Sequence, residues 1–262
     1  CLKIDQSLNL GAVRIRLRSL KAAIEERGEE TGSAKPIEYP KAVFTEAMKR
    51  DKDYTILAPE MSPIHFPIIE VAVQREGYHI EIIPPIHEDI DKGLSCVNND
   101  ACYPAIITIG SLMRALTSGK YDLSKTAVML SQTGGMCRAS NYVGFLHKAL
   151  DEAGLSDIPV ISLNTHGFEP QPGFHFSLSM GRRMIQAVIY GDALQQCLYR
   201  TRPYEKEPGS AETLCRSWQK RCIEAILSGE SYTSYKKNIA GIIQDFDRLP
   251  LSDMPRRPRI GI

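Results

Sequence analysis

Short apolar runs alternate, along the middle of the chain, with longer stretches in which apolar residues have helical spacing. Residues 54–58 form a short, mostly apolar run and 78–83 is a second predicted strand, whereas in 64–76 apolar residues recur at helical spacing. Ser62 and Gly77 fit the start and end of that helix, since serine favours the N-cap and glycine the position after the last turn. A strand–helix–strand order needs a crossover, so the two apolar runs are predicted to pair in parallel.

A second part of the chain repeats this order. The segments 104–115 and 137–153 have helical spacing, and the apolar runs 127–130 and 159–163 are predicted strands. Four strands that alternate with helices are typical of a doubly wound sheet. The pattern therefore predicts an α/β fold, with a Rossmann-like parallel sheet of about four or more strands, flanking helices and a helical segment after them.

The regions around this pattern define the predicted domain organisation. Helical spacing also occurs in 11–28 and, after the last predicted strand, in 176–200, 211–229 and 233–247. The chain lacks an initial Met and closes on a β-like segment that has no sheet to join, so both ends look cut. We predict an N-terminal helix and loop at 1–40, an α/β domain with the cysteine motifs at 41–175, a helical segment at 176–250, and at 251–262 a linker and the first strand of a missing next domain.

The composition is ordinary for a globular protein and leaves almost no net charge. Of 262 residues, 43% are hydrophobic and 24% charged, and 32 basic against 31 acidic residues give a net charge of +1. A balance this close to neutral supplies no field that would attract nucleic acid or an acidic membrane. No apolar run approaches the roughly 20 residues of a membrane-spanning helix, and no segment has the pattern of a secretory signal. We therefore expect a cytoplasmic protein with neither a nucleic-acid nor a membrane partner.

Seven cysteines are many for a chain of this length, and their number is odd. Because nothing in the sequence indicates secretion, we interpret them as free thiols rather than as a disulfide framework. Free thiols serve as core residues, nucleophiles or metal ligands. Cys197, Cys215 and Cys222 lie on predicted amphipathic helices and are expected to be buried in a core.

Cys102 and Cys137 differ from the other cysteines because each opens a predicted helix. Helix starts that follow parallel strands share one edge of the sheet, where ligands bind in open α/β folds. Unpaired amides and the helix dipole favour the thiolate there, which is the form that binds metal or attacks an electrophile. Gly134 and Gly135 let the backbone before Cys137 approach a ligand closely. Cys96 lies six residues before Cys102 and is a third candidate.

The residue pattern alone leaves the type of site at these cysteines open. Zinc sites usually show closely paired cysteines, which this chain lacks, whereas iron–sulfur clusters accept ligands scattered over the sequence. The Gly-Gly loop matches no nucleotide-binding fingerprint. His65 and His79 have no carboxylate at useful spacing and are interpreted as structural, and no Ser/His/Asp arrangement is apparent. His166 and His175 flank a loop expected at the same edge of the sheet as the cysteines.

Four stretches of the sequence resemble a known family. They are Cys-Val-Asn-Asn-Asp-Ala-Cys-Tyr-Pro-Ala (96–105), Ser-Gln-Thr-Gly-Gly-Met-Cys-Arg-Ala-Ser-Asn-Tyr (131–142), Pro-Val-Ile-Ser-Leu-Asn (159–164) and Arg-Thr-Arg-Pro-Tyr-Glu (200–205). They are similar to the large CoA-substrate-specific enzyme activases. Those proteins fuse an ATP-dependent activase of actin-like fold to a region related to 2-hydroxyacyl-CoA dehydratase and benzoyl-CoA reductase subunits.

This resemblance implies a 4Fe–4S cluster, which each dehydratase subunit holds through three cysteines. By resemblance Cys102 and Cys137 are two ligands, and the third comes from a later domain or is replaced by Cys96. Electrons would pass from the ATP-dependent activase region of the same protein to the cluster, and then to a CoA-thioester-type substrate. The chain would be part of a dehydratase or reductase-type enzyme, inactive as this fragment, and a homodimer is a further expectation. The residues expected to position and hydrogen-bond the cofactor are Asn98, Asn99, Gln132, Thr133, Gly134, Gly135 and Arg138.

Two other functions remain open from the sequence. A binding or docking domain would hold an anion such as a CoA phosphate on the Gly134-Gly135 loop and the helix dipole, with structural cysteines. A purely structural interaction module would bury Cys102 and Cys137 in its core. The placement of the two thiols separates these functions, because a cluster needs both at one cavity.

Overall fold

A computed structural model describes most of the chain in two compact units, 1–38 and 39–262. The described residues are 10–27, 41–97, 101–132, 137–164, 171–255 and 257–258. In the first unit, α1 spans Leu10–Arg27, close to the predicted helix 11–28, and its Ile15 and Ile24 are exposed. No helix among the described residues is both long enough and apolar enough to cross a membrane.

The second unit contains the rest of the described secondary structure. Its strands are β1 (Thr55–Pro59), β2 (Ile80–Ile83), β3 (Thr126–Gln132) and β4 (Val160–Asn164). Its α-helices are α2 (Glu46–Arg50), α3 (Phe66–Gln74), α4 (Glu88–Cys96), α5 (Tyr103–Thr117), α6 (Tyr142–Glu152), α7 (Leu178–Thr201), α8 (Ser210–Ser228) and α9 (Tyr232–Asp247). Short 3-10 helices cover Leu123–Lys125, Arg138–Asn141 and Arg202–Tyr204.

The strands form a parallel sheet in the order β2-β1-β3-β4, which confirms the predicted α/β fold. Leu57 pairs with Glu81 on one side and with Val128 on the other. These strands read as continuous apolar runs in the sequence because helices cover both faces of the sheet.

Successive residues of each strand enter different cores, since side chains alternate between the faces of a sheet. Leu57 and Val128 pack with α4, α5 and α6, whereas Ile56 and Ala127 lie in a cluster with residues of α3 and α7. The chain therefore leaves β1 toward one face and β3 toward the other. Neighbouring strands whose connections diverge in this way open a crevice at their carboxyl ends, the usual ligand position in such sheets.

Two helices join β2 to β3, where the sequence predicted only one. Residues 95–101 were expected to be a turn-rich loop, but Ser95 and Cys96 are the last residues of α4. Gly93 lies against the Ile106 carbonyl oxygen of α5, and Gly110 of α5 lies against the Asp89 carbonyl oxygen. Backbone contact this close requires glycine, so the helix pair is specified by packing rather than by periodicity.

The helical segment packs on α3 through a separate apolar cluster. Its buried side chains include Tyr190, Leu194, Trp218, Ile242 and Phe246, contributed by α7, α8 and α9. The expected core cysteines also lie there: Cys215 and Cys222 are buried and Cys197 is half-buried against the cluster. The expected burial is confirmed for Cys215 and Cys222, whereas Cys197 lies at the edge of the cluster.

Candidate functional site

Cys102 is the N-cap residue of α5, as its position in the sequence predicted. Its backbone is extended (φ −69°, ψ 151°), and its carbonyl accepts the amides of Ala105 at 2.9 Å and Ile106 at 3.2 Å. Pro104 follows within the first turn, where a missing amide costs nothing. The thiol is half-buried and packs against the core that α5 shares with α6.

Cys137 caps a 3-10 helix rather than the α-helix predicted for 137–153. Its backbone is also extended (φ −75°, ψ 145°), and Ser140 donates its amide and its hydroxyl to the Cys137 carbonyl at 3.1 and 2.7 Å. The α-helix α6 begins only at Tyr142. The 3-10 turn therefore lies between Cys137, whose thiol is exposed, and the first residue of α6.

Tyr142 contacts one of the two thiols. Its hydroxyl lies 3.5 Å from Cys102 Sγ. Burial is the main reason that the pKa of Tyr142 is raised above its usual range, and the hydrogen bond to Cys102 raises it further. The phenol therefore stays protonated and is available as a hydrogen-bond donor to sulfur.

The other predicted ligand and cofactor residues are only partly placed. Cys96 ends α4 with its sulfur 3.6 Å from Ser95 Oγ, and it packs against the same core as Cys102. Among the described residues, no group of three His, Cys, Asp or Glu side chains is arranged to hold a metal ion. Gln132 ends β3 opposite Asn164, and the Arg138 backbone opens the 3-10 helix. Asn98, Asn99, Thr133, Gly134 and Gly135 lie outside the described residues.

A Ser–His–Asp chain that the sequence did not reveal lies at the end of β1. Ser62 Oγ is 2.8 Å from His65 Nδ1, and His65 Nε2 is 3.1 Å from Asp192 Oδ1. His65 has no carboxylate at useful spacing in the sequence, and its carboxylate partner comes instead from α7, far along the chain. The local spacing of Ser62 and His65 at a helix start was the only available signal, and it did not indicate Asp192.

His79 and His175 have partners other than the cysteines. His79 Nδ1 lies 3.2 Å from Thr55 Oγ1, and His175 Nε2 lies 2.6 Å from Glu46 Oε1. His166 lies outside the described residues. His175 thus pairs with a helix before the sheet rather than with the cysteines.

Comparison with known proteins adds no relative. Neither protein-family models, nor curated proteins, nor solved structures match this chain. The family resemblance therefore stays a prediction, and the function must be argued from the residues themselves.

Thiol accessibility gives a first test of this site. In the folded protein at pH 8, we expect iodoacetamide to modify Cys137 first, Cys96 and Cys102 more slowly, and Cys215 and Cys222 only after unfolding. Cys137 is exposed, whereas burial raises the pKa of Cys215 to about 11 and that of Cys222 to about 12, which keeps both as unreactive thiols. Peptide mass spectrometry over time measures the order, and a sample in denaturant should show equal rates. Native modification of Cys222 as fast as that of Cys137 would contradict the described placement.

Proposed function

We propose that this chain is a redox domain in which Cys102 and Cys137 ligate an iron–sulfur cluster of the 4Fe–4S type. It would receive electrons from an ATP-dependent activase region of the same protein and pass them to a CoA-thioester-type substrate. The observation that carries the proposal is that Tyr142, the first residue of α6, lies 3.5 Å from Cys102 Sγ and follows the exposed Cys137 by five residues. The electron donor and the substrate class rest on the resemblance of the cysteine-containing stretches alone.

Position and exposure support the two thiols as ligands. Each is an N-cap residue, Cys102 of α5 and Cys137 of a 3-10 helix, so unpaired backbone amides lie near each thiol. Neither is fully buried, so iron and sulfide can reach them. Cys102 and Cys137 would supply two of the cluster ligands. The remaining ligands would come from residues outside those described or from another domain.

Tyr142 has a distinct role in this proposal. Its phenol lies 3.5 Å from the Cys102 sulfur and, once that sulfur ligates iron as a thiolate, would be the donor of their hydrogen bond, because a thiolate only accepts. Hydrogen bonds to ligand sulfurs are one of the ways in which a protein sets the reduction potential of a cluster. A bound cluster supplies one-electron transfer, and Tyr142 together with the helix starts stabilises the charge at its ligands.

Anaerobic reconstitution with iron and sulfide tests the proposal. We expect the wild-type chain to bind iron with visible absorbance, and the Cys102→Ala/Cys137→Ala double variant to lose essentially all of it. Cys197→Ala is the matched control, since Cys197 is also half-buried but lies on α7 and should leave iron binding unchanged. Equal iron content in the double variant and the wild type would refute the proposal.

Tyr142→Phe separates the role of the phenol from ligation. This variant keeps both cysteines and should still bind iron. Its midpoint potential should be lower than that of the wild type, because a hydrogen bond that stabilises the reduced, more negative cluster is missing. An unchanged potential would remove Tyr142 from the proposal while leaving the two ligands in it.

A further inference from the structure

The hydrogen bonds of His65 fix which of its nitrogens carries the proton. A carboxylate only accepts hydrogen bonds, so the 3.1 Å contact with Asp192 Oδ1 requires a proton on His65 Nε2. In the neutral ring Nδ1 is then unprotonated, and the Ser62 hydroxyl 2.8 Å away is its donor. The Ser62 hydroxyl therefore donates to a basic ring nitrogen, and the Asp192 carboxylate fixes the tautomer of that ring. This is the arrangement of an activated serine nucleophile.

The imidazole is held in a fitted position between two helices. The His65 side chain is only 14% exposed, whereas that of Asp192 is 67% exposed. A Cβ on Gly191 of α7 would lie 2.2 Å from His65 Cδ2, so the ring rests directly on the α7 backbone. A glycine inside a long helix is unfavourable by roughly 1 kcal/mol relative to alanine. Its presence here is explained by the room that the ring requires.

Backbone amides beside Ser62 are available for a developing negative charge. Phe66 is the first residue of α3 and donates its amide to the Ser62 carbonyl at 3.0 Å. The amides of Ile64 and His65 lie in the turn between Ser62 and Phe66, ahead of the first residue of α3. In the reaction proposed below they would supply the electrostatic stabilisation that acyl transfer needs.

The position of Ser62 in the fold is the one at which open α/β sheets bind ligands. Met61, the residue before it, receives a hydrogen bond from Ser131 Oγ at the end of β3, with Met61 Sδ 3.9 Å away. Ser62 therefore lies at the crevice between the carboxyl ends of β1 and β3. It is half-buried there, on the α3 side of the sheet, whereas Cys102 and Tyr142 pack on the other side.

We propose that Ser62, His65 and Asp192 form a hydrolytic site for an activated acyl group, an ester or a thioester. Ser62 Oγ attacks the carbonyl carbon while its proton passes to His65 Nδ1, and the oxyanion accepts hydrogen bonds from the Ile64 and His65 amides. The bond to the leaving alcohol or thiol breaks, and His65 returns the proton to that group. Water then attacks the acyl-serine, His65 takes the proton of the water and returns it to Ser62 Oγ. The net reaction converts ester or thioester and water into carboxylic acid and alcohol or thiol.

A purely local role for the contact is the alternative that the data weigh against. Serine at a helix start usually accepts the amide of the residue three positions on, as Ser177 of α7 and Ser231 of α9 do. Ser62 instead faces a side chain whose second nitrogen is bound by a residue 127 positions away. This site stands apart from the proposed cluster, since no cysteine takes part in it.

The test is hydrolysis by the full chain carrying Cys96→Ala, Cys102→Ala, Cys137→Ala and Cys197→Ala, so that these accessible thiols do not attack the probes. The probes are 4-nitrophenyl acetate for the ester and S-(4-nitrophenyl) thioacetate for the thioester. We expect turnover of at least one probe and a loss of about 100-fold or more on Ser62→Ala or His65→Gln, as for other activated nucleophiles. Asp192 is a positioning residue, exposed to water, so Asp192→Asn should cost on the order of tenfold and Asp192→Glu should restore most of the rate.

Matched variants distinguish catalysis from folding. Ser231→Ala removes a capping serine without a histidine, and His175→Gln breaks a His–carboxylate pair without a serine, so both should hydrolyse the probes at the unchanged rate. Phenylmethylsulfonyl fluoride should sulfonylate Ser62, as seen by peptide mass spectrometry, in the parent but not in His65→Gln. Hydrolysis that survives Ser62→Ala, the absence of any turnover with an unmodified Ser62, or equal losses in the matched variants would each overturn the proposal.

Discussion

Replacing Asp89 with alanine is expected to lower the free energy of unfolding by about 3–5 kcal/mol, the usual cost of removing one partner from a buried ion pair. Asp89 is fully buried, with its Oδ1 2.5 Å from Arg114 Nε, and its Oδ2 accepts the Ile86 amide at 2.8 Å. The variant leaves the guanidinium without its carboxylate and the Ile86 amide without its acceptor. The pair also fixes α4 against α5, the helices that carry Cys96 and Cys102.

Urea-induced unfolding of Asp89→Ala, Arg114→Met and the double variant measures this effect. Each single variant should be strongly destabilised and the double variant less so than their sum, because an apolar pair leaves no charge unpaired. Asp53→Ala is the matched control, since the Asp53 pair with Lys125 lies at the surface and should matter little. A loss as small for Asp89→Ala as for Asp53→Ala would show that the buried pair does not hold the two helices.

Gly110→Ala is expected to destabilise the protein by about 1–3 kcal/mol, although alanine is normally the better helix residue. A Cβ at this position would lie 1.9 Å from the Asp89 carbonyl oxygen and 2.9 Å from the Gly93 amide nitrogen. Both neighbours are backbone atoms, so no side chain can rotate away. The helices α4 and α5 would have to separate, and Cys102 at the start of α5 would shift with them.

Unfolding free energies and the alkylation rates of Cys96 and Cys102 together test the Gly110 prediction. The stability should fall and the two half-buried thiols should react faster than in the wild type. Gly181→Ala is the matched control in a helix, since its nearest neighbour is the exposed Phe176 ring at 3.0 Å. Stabilisation by Gly110→Ala, as by an ordinary helix substitution, would mean that α4 and α5 do not touch through their backbones.

Much of the fold follows from patterns that are local in the sequence. The apolar runs predicted as strands at 54–58 and 127–130 fall within β1 and β3 to within two residues, because strands covered on both faces consist of continuous apolar residues. Cys102 was placed correctly at a helix start, since Pro104 marks the first turn. In contrast, α4 was missed, because Gly93 disfavours a helix locally and is required only by its contact with Ile106.

The candidate sites divide in the same way. Local sequence was enough to place Cys102 and Cys137 at the starts of consecutive helical segments, because strand and helix order depend on residues close together in the chain. The contact of Cys102 with Tyr142, and that of His65 with Asp192 from a helix 127 positions later, became visible only in the folded chain. Hydrogen bonds between distant side chains depend on how whole helices and strands pack, and a local pattern of residues does not indicate that packing.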